Sequence, residues 1–425
     1  MPEGLAHVLL ISIVAVSILL MLIRPRNIPE VYWVGGGAAL LVALRLIPLR
    51  PAGRAVAEGL DVYLFLIGMM LLSELARENG VFDWLSSAAV RHAHGSCSRL
   101  FMLVYGAGTI VTVCMSNDAT AVVLTPAILA AVRRSKVEPL PFLFACAMIA
   151  NAASFVLPIS NPANLVVFRS GMPPLGRWLA SFLIPSVLSI VTTFAVLRWY
   201  FRQELSARIE REIDPVELDG NGKLVVIGLG FVILVLLAAS AFHKDLGLPT
   251  CLAALCITAA VCVKRRTSPL PLAKEISWAT LALVAALFVM VDAIEDIGAL
   301  HYTQSALKFV EGLRPVAGSL LTAFTVGISN NLVNNLPLGL IAGSTLATTH
   351  AQGLIANAVL IGVDLGPNLS VTGSLATILW LIALRKHNLD VSFMDFLRVG
   401  AIAMPAALLV TMAGALAMHA VFPTQ

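Results

Sequence analysis

Residues 115–126 read "MSNDATAVVLTP" and set Asn117 and Asp118 side by side inside a long apolar run. Similar polar clusters interrupt three more apolar stretches: "PISNPAN" at 158–164, "SNNLVNN" at 329–335 and "DLGPNLSVTGS" at 364–374. Amides, hydroxyls and carboxylates in this mixture bind hydroxylated solutes or cations, and the same residue types cap helix ends. Ser116 and Ser329 read first as such caps. The two aspartates do not, because a carboxylate within an apolar span is costly and marks function by default. Asp118 and Asp364 are therefore the candidates for proton or cation coupling. No Arg or Lys falls inside any of the four clusters. A large anion fits such a site poorly, whereas a small neutral polyol-like solute or a cation fits it.

The elements that must hold these clusters follow from composition. Of 425 residues 59% are hydrophobic and only 12% charged, and the mean hydropathy is +0.91. Soluble domains carry about a quarter charged residues. Apolar runs long enough to cross a ~30 Å hydrocarbon layer recur along the chain, without the apolar/polar alternation of barrel strands. The expected fold is an all-α polytopic membrane protein with about ten spans. These lie near 5–23, 31–48, 60–76, 141–168, 176–200, 223–242, 249–263, 276–297, 353–384 and 396–421. The first reads as a retained span and not a signal peptide, since Glu3 stands where a basic residue would. A scattered net charge of +4 excludes nucleic-acid binding. The six cysteines form no C-x-x-C pair and read as packing residues, with no metal site and no cofactor.

Two further apolar stretches, 100–132 and 316–347, are broken in the middle and read as re-entrant helical hairpins. The runs 141–168 and 353–384 are too long for a simple crossing and read as broken helices. An offset of 213 residues lays "TIVTVCMSN" at 109–117 over "TAFTVGISN" at 322–330, with five identities in nine. It also sets Asn151 on Asp364 and Asn161 on Ser374. The chain thus divides into a first repeat (1–203), a linker (204–222) and a second repeat (223–425), each with three spans, a hairpin, a broken span and a final span. Five crossings invert the second repeat relative to the first, a pattern found in secondary transporters. In this weave 20 of the 28 Lys and Arg residues fall on the side opposite the N-terminus. That side is then cytoplasmic, with both termini outside the cytoplasm.

Backbone in lipid must be bonded within its own segment, so a helix breaks only against protein or a cavity. Ser116, Pro158, Pro162, Ser329, Gly366 and Gly373 mark the breaks. Asn161 is the expected N-cap of a half-helix with Pro162 at its first position, and Ser374 takes the same place at the offset. Four half-helix starts are expected to converge near the bilayer midplane.

At these four stretches the chain resembles the ArsB-type arsenite efflux permeases (arsenical pump membrane proteins) of the ion transporter superfamily. The resemblance covers essentially the whole chain. Its most specific parts are "SNNLVNNLPLGLIAG" and "GVDLGPNLSVTGSLATILWLIALRK". "NDATAVVLTP" and "NAASFVLPISNPANLVVF" are shared more broadly with sodium/proton and organic-anion branches. The chain departs from the dicarboxylate branch in reading Ser-Asn-Asp and Ser-Asn-Asn where that branch has Ser-Asn-Thr, and from the arsenite group in Asn368, where a Lys is expected.

The resemblance implies export of trivalent arsenic and antimony across a bacterial or archaeal cytoplasmic (inner) membrane. Arsenous acid is an uncharged pyramidal trihydroxide, and Asn117, Asn151, Asn161, Asn330, Asn334 and Ser374 would hydrogen-bond it. Asp118 and Asp364 would exchange protons for it in an arsenite/proton antiport with alternating access. Cys114, near the first break, is the one thiol worth testing as a ligand. The family also implies a cytosolic arsenite-stimulated ATPase as a partner for some members, since no phosphate-binding loop is present here. The competing reading is a sodium/proton antiporter with the aspartates as cation ligands. A passive channel and an intramembrane hydrolase rank lower, the latter because neither a nucleophile–base pair nor an H-E-x-x-H helix is present. Glu74, Asp292, Glu295 and Asp296 read as interfacial or scaffold groups.

Overall fold

Apolar runs fold into helices here because a helix alone bonds every backbone group within its own segment. The computed structural model describes residues 3–209, 216–242 and 244–421. The first half runs α1 (Glu3–Ile23), α2 (Glu30–Ala43), α3 (Leu49–Glu58), α4 (Leu60–Glu78) and α5 (Val81–His92). Next come α6 (Cys97–Cys114) and α7 (Asn117–Ala119), a π-helical stretch (Thr120–Leu124), and α8 (Thr125–Arg134). The broken pair α9 (Leu140–Ala152) and α10 (Pro162–Val167) leads to α11 (Leu175–Tyr200).

The second half repeats that order. It comprises α12 (Gly220–Ala241), α13 (Gly247–Arg265), α14 (Leu270–Glu275), α15 (Trp278–Asp296) and α16 (His301–Glu311), then α17 (Pro315–Val333), α18 (Asn335–Thr349), α19 (Leu354–Leu365), α20 (Leu375–Lys386) and α21 (Phe393–Val421). Packing follows the same exchange. Helix α2 lies on α15 while α13 lies on α4; α6 lies on α9 while α17 lies on α19; α11 and α21 lie along each other.

Among the described residues eight helices are long and apolar enough to cross a membrane, or nine if α3 and α4, bent by 47° where they join, form one span. The sequence suggests a slightly different set. Helix α2 has only 14 residues, about 21 Å at 1.5 Å per residue, and each broken span consists of two short helices. Conversely α6 and α17 have spanning length, although each turns back as the first arm of a hairpin.

The basic side chains gather at one end. Arg133 Nη2 donates to the His387 carbonyl at 2.9 Å, Lys264 Nζ to the Gly220 carbonyl at 2.8 Å, and Arg265 pairs with Glu78 at 3.6 Å. The linker begins and ends here too. Ile209 N–H donates to Gly95 O at 3.0 Å and Val216 N–H to Ser87 Oγ at 3.1 Å; residues 210–215 lie outside the described residues. Asp219 caps α12 by accepting from Gly222 N–H at 2.6 Å, and that bond holds its carboxyl below the usual range. The expected positions of the extreme termini, 1–2 and 422–425, also lie outside the described residues.

Between the two ends, α9 and α19 form the centre. From Pro141 to Ala152 every residue of α9 is buried. Phe144 packs against Trp380 of α20 and Phe396 of α21, with ring centroids 5.9 and 5.6 Å away. Close backbone approach fixes these helices on their neighbours: a Cβ on Gly366 would meet the Gly327 carbonyl and Asn330 Nδ2. Gly366→Ala is expected to destabilise the protein by about 1–3 kcal/mol through overpacking, read as a lower midpoint of heat-induced unfolding in detergent. Gly106→Ala, where a Cβ meets open space, should leave that midpoint unchanged or raise it.

Candidate transport site

Each half-helix start is capped by the residue type that its broken backbone requires. Ser116 Oγ accepts from Ala119 N–H at 3.2 Å, and Asn161 Oδ1 from Ala163 N–H at 3.0 Å with Pro162 at the first position. Asn334 Oδ1 accepts from Leu336 N–H at 3.5 Å, and Ser374 Oγ from Thr377 N–H at 3.1 Å in a reciprocal capping box. Pro158, Gly366 and Gly373 lie in short 3₁₀ turns within the two broken spans.

Ser329 does not break its helix. Helix α17 runs on through Ser329 and Asn330 to Val333, and the break falls at Asn334, whose φ is 79°. The reason lies outside the local sequence. Asn330 Nδ2 donates to the carbonyls of Gly362 and Val363 at 2.8 Å each, the end of α19. Asn331 Nδ2 reaches Gly327 O at 2.9 Å and Gly366 O at 3.1 Å. These bonds clamp the last turn of α17 onto α19 and push the break one turn further. The tips therefore correspond as Ser116 with Asn334 and Asn117 with Asn335, an offset of 218 and not 213. Asn117, Asn330 and Asn335 are all buried, and in each Oδ1 has no hydrogen-bond donor.

The two broken spans cross at the centre through polar side chains. Asn161 Nδ2 donates to Asp364 Oδ1 at 2.7 Å, and Ser374 Oγ donates to Asn151 Oδ1 at 3.4 Å. At the 213 offset these are one contact seen twice, with the halves exchanged. Asn151 Nδ2 further donates to Asn368 Oδ1, and Asn368 Nδ2 to the Met148 carbonyl, both at 3.0 Å. Asn368 thus bonds on both sides of its amide, where the resemblance expects a cation. Asp364 is fully buried, and its Oδ2 has no donor.

Asp118 lies elsewhere. It lines a cavity of about 280 Å³ together with Ser116, Pro162 and Leu375, so three half-helix starts face one space. A narrow gap lined by Asn334, Leu336 and Leu375 brings the fourth start alongside. Ser73, Glu74, Glu275, Ser277 and Thr280 face the cavity from α4, α14 and the start of α15. A second cavity, about 470 Å³, shares Val122, Val123 and Leu379 with the first and is lined toward the basic end by Arg77, Asp83, Lys386 and His387. A third cavity, about 530 Å³, lies beyond α10 and is lined by Val167, Phe168, Arg177 and His350. The structure therefore brings Ser116 and Asp118 to the open cavity, and holds Asn151, Asn161, Ser374 and Asp364 in the buried crossing behind it. Asn330 serves the α17–α19 clamp. Cys114 is the half-buried last residue of α6.

Several residues escaped sequence reasoning. Glu74 read as a scaffold group, yet it faces the same space as Asp118 while also bonding Arg77 through two short contacts. Glu275, on the short helix α14, carries no local signal of its own. Glu30, ion-paired with Arg24, borders the gap beside Asn334. The π-helical stretch behind Asp118 was also unforeseen. Thr120 inside it bonds Thr112 hydroxyl to hydroxyl at 2.8 Å, and such bulges concentrate at functional sites.

Comparison with known proteins agrees with this architecture. A family profile described as citrate transporter matches residues 5–363. Arsenical pump membrane proteins of Yersinia enterocolitica and Escherichia coli (strain K12) are each 27% identical, over 95% and 97% of this chain and 96% and 98% of theirs. A putative arsenical pump membrane protein of Bacillus subtilis (strain 168) is 23% identical over 93% of this chain and 96% of its own. The crystal structure of the YdaH transporter of Alcanivorax borkumensis aligns with a TM-score of 0.60 at 14% identity, over 90% of this chain and 89% of that one. The expected all-α membrane fold and the resemblance both hold, and this chain belongs to the citrate transporter family of membrane transporters, as an ArsB-type permease of the ion transporter superfamily.

Proposed function

We propose that the protein exports arsenite and antimonite from a bacterial cytoplasm by exchange with protons. The observation that carries this reading is the lining of the inner cavity: Asp118, Glu74 and Glu275 with hydroxyls from Ser73, Ser116, Ser277 and Thr280, and no Lys or Arg. Inside this cavity a tricarboxylate such as citrate would meet three acids, with Arg77 already engaged by Glu74 and Lys386 set back in the neighbouring cavity, whereas an uncharged trihydroxide meets donors and acceptors without charge repulsion. The relatives called arsenical pumps point to the same solute.

In this reading residues 1–203 and 223–425 are inverted repeats joined by the linker 204–222, and the basic end faces the cytoplasm. The structure then corresponds to an inward-open state. Arsenous acid enters past Val122 and Leu379, reaches Ser116, Asn117 and the capped half-helix starts, and displaces a proton held by Asp118. Asn334 and Asn335 serve the equivalent position in the second half. Movement of the hairpins and broken spans against the other helices carries the site across. Asp364 acts at the crossing, where Asn161 reports its protonation to the first half. An arsenite-stimulated ATPase acts, where present, as a separate partner.

Everted membrane vesicles carrying the protein are expected to accumulate arsenite when a proton gradient is imposed, with no sodium requirement and with loss of uptake on adding a protonophore. Sodium-driven proton release without arsenite uptake would instead assign the three carboxylates to a sodium/proton antiporter. In the same vesicles Asp118→Asn and Asp364→Asn should each lower gradient-driven uptake to the level of vesicles lacking the protein, at unchanged membrane abundance. Full coupled uptake in both variants would refute the coupling roles.

A further inference from the structure

Arg169 lies two residues beyond α10, at the end of the molecule opposite the inner cavity, and the transport path described above gives it no task. Its Nη2 donates to Ser344 Oγ of α18 at 2.7 Å and lies 3.3 Å from Glu295 Oε2 in the last turn of α15. Its Nη1 lies 3.8 Å from Glu58 Oε2 at the end of α3, and the guanidinium stands 5.9 Å above the Phe288 ring. The side chain is 19% exposed. One cation thus ties α10 and α18, from the broken span and the hairpin, to α3 and α15, from the surrounding helices. Those two groups must part if the cavity is ever to open at this end.

The exchanged elements at the basic end also carry cations and acids, although not at matching positions: at the 213 offset Arg169 falls on Ile382 and Glu295 on Phe82. Helix α20 corresponds to α10 and ends in Arg385 and Lys386; α14 and α4 correspond to α3 and α15 and bring Glu275 and Glu74. Among the described residues no ion pair joins α20 to either acid. Arg385 pairs with Asp390 at 2.9 Å, Glu74 bonds Arg77, and Lys386 lines the open cavity. Ion pairs are thus made across one end and parted across the other.

We propose that Arg169 is a latch that closes the far end of the transport path, and that Lys386 closes the basic end on Glu74 and Glu275 when the latch releases. The proposal rests on the alternating-access reading above but not on the identity of the solute. A half-buried guanidinium suits the task, since removing one partner of such a pair leaves the other without compensation.

The test is thiol labelling of purified protein in lipid nanodiscs, where both faces are accessible, with each cysteine resolved by peptide mass spectrometry. Val291→Cys places the probe on α15 between Phe288 and Glu295, at a position 2% exposed. It should label slowly in the otherwise native chain and in Arg169→Lys. Labelling should rise about tenfold in Arg169→Gln, and in the milder Glu295→Gln, a tenfold change being ~1.4 kcal/mol in the closing equilibrium. Lys386→Gln should leave it slow. Unchanged labelling in both neutralised variants overturns the latch, as does an equal rise at Cys146, which is fully buried in α9 and would report general loosening. A latch response in protein that fails to move arsenite would keep the latch and refute only the proposed solute.

Discussion

The crossing of the two broken spans is the constraint on which the rest of the molecule depends. Each break exposes backbone groups that lipid cannot satisfy, so both must be buried in protein, and here they are buried against each other. Asn161 to Asp364 and Ser374 to Asn151 are the same bond made twice by exchange of the halves. An arrangement of that kind needs a fully enclosed centre, which is why α9 is buried along nearly its whole length. It also needs close backbone approach, which Gly366 provides against Gly327. Asn161, Ser374, Ser116 and Asn334 each satisfy one freed amide from their own side chains.

Sequence reading located this crossing because the chemistry of a break is local. Asn-Pro at 161–162 and Ser at 374 announce a helix start whatever surrounds them, and the structure uses both as read. The hairpin tips show the limit of local signals. In "SNNLVNN" two Asn pairs stand one turn apart, and either could cap a half-helix. The choice falls to Asn334 because Asn330 and Asn331 are engaged with the carbonyls of α19 and the turn after it. Those partners lie more than thirty residues away, beyond any periodicity or spacing argument. The 213 offset sets Asn161 on Ser374, and both cap half-helices, whereas the capping residues at the hairpin tips, Ser116 and Asn334, lie 218 apart; α18 is an unbroken helix where the first hairpin contains a π-helical stretch.

The same distinction explains the acids. Asp118 and Asp364 are conspicuous because they sit within polar clusters in apolar runs. Glu74 and Glu275 are not, because they lie where spans approach the interface, and charge is ordinary there. Only the tertiary fold, in which α14 lies on α4 and α4 on α10, brings them to the cavity. Once they are placed, the electrostatics of the site change character: an amide-rich cleft with two aspartates becomes an acid-lined vestibule in front of an amide-rich crossing that holds Asp364. These acids lie behind a mouth that carries Arg77 and Lys386, with amide hydrogen-bonding groups further in.

Ion pairing at the two ends then gives the fold a direction. Exchange symmetry by itself would make both ends alike, and a molecule with both ends open would leak while one with both ends closed would not work. The two ends of this chain differ, in the positions of their acids and cations and in which of them pair across the two groups of helices. Arg169 is held by Glu58, Glu295 and Ser344, whereas Lys386 faces an open cavity. Each cation sits at the end of a half-helix whose start reaches the crossing or the cavity. A shift of that half-helix therefore alters the site and its latch together. Helix α10, six residues long, is the short link between Asn161 at the crossing and Arg169 at the far end.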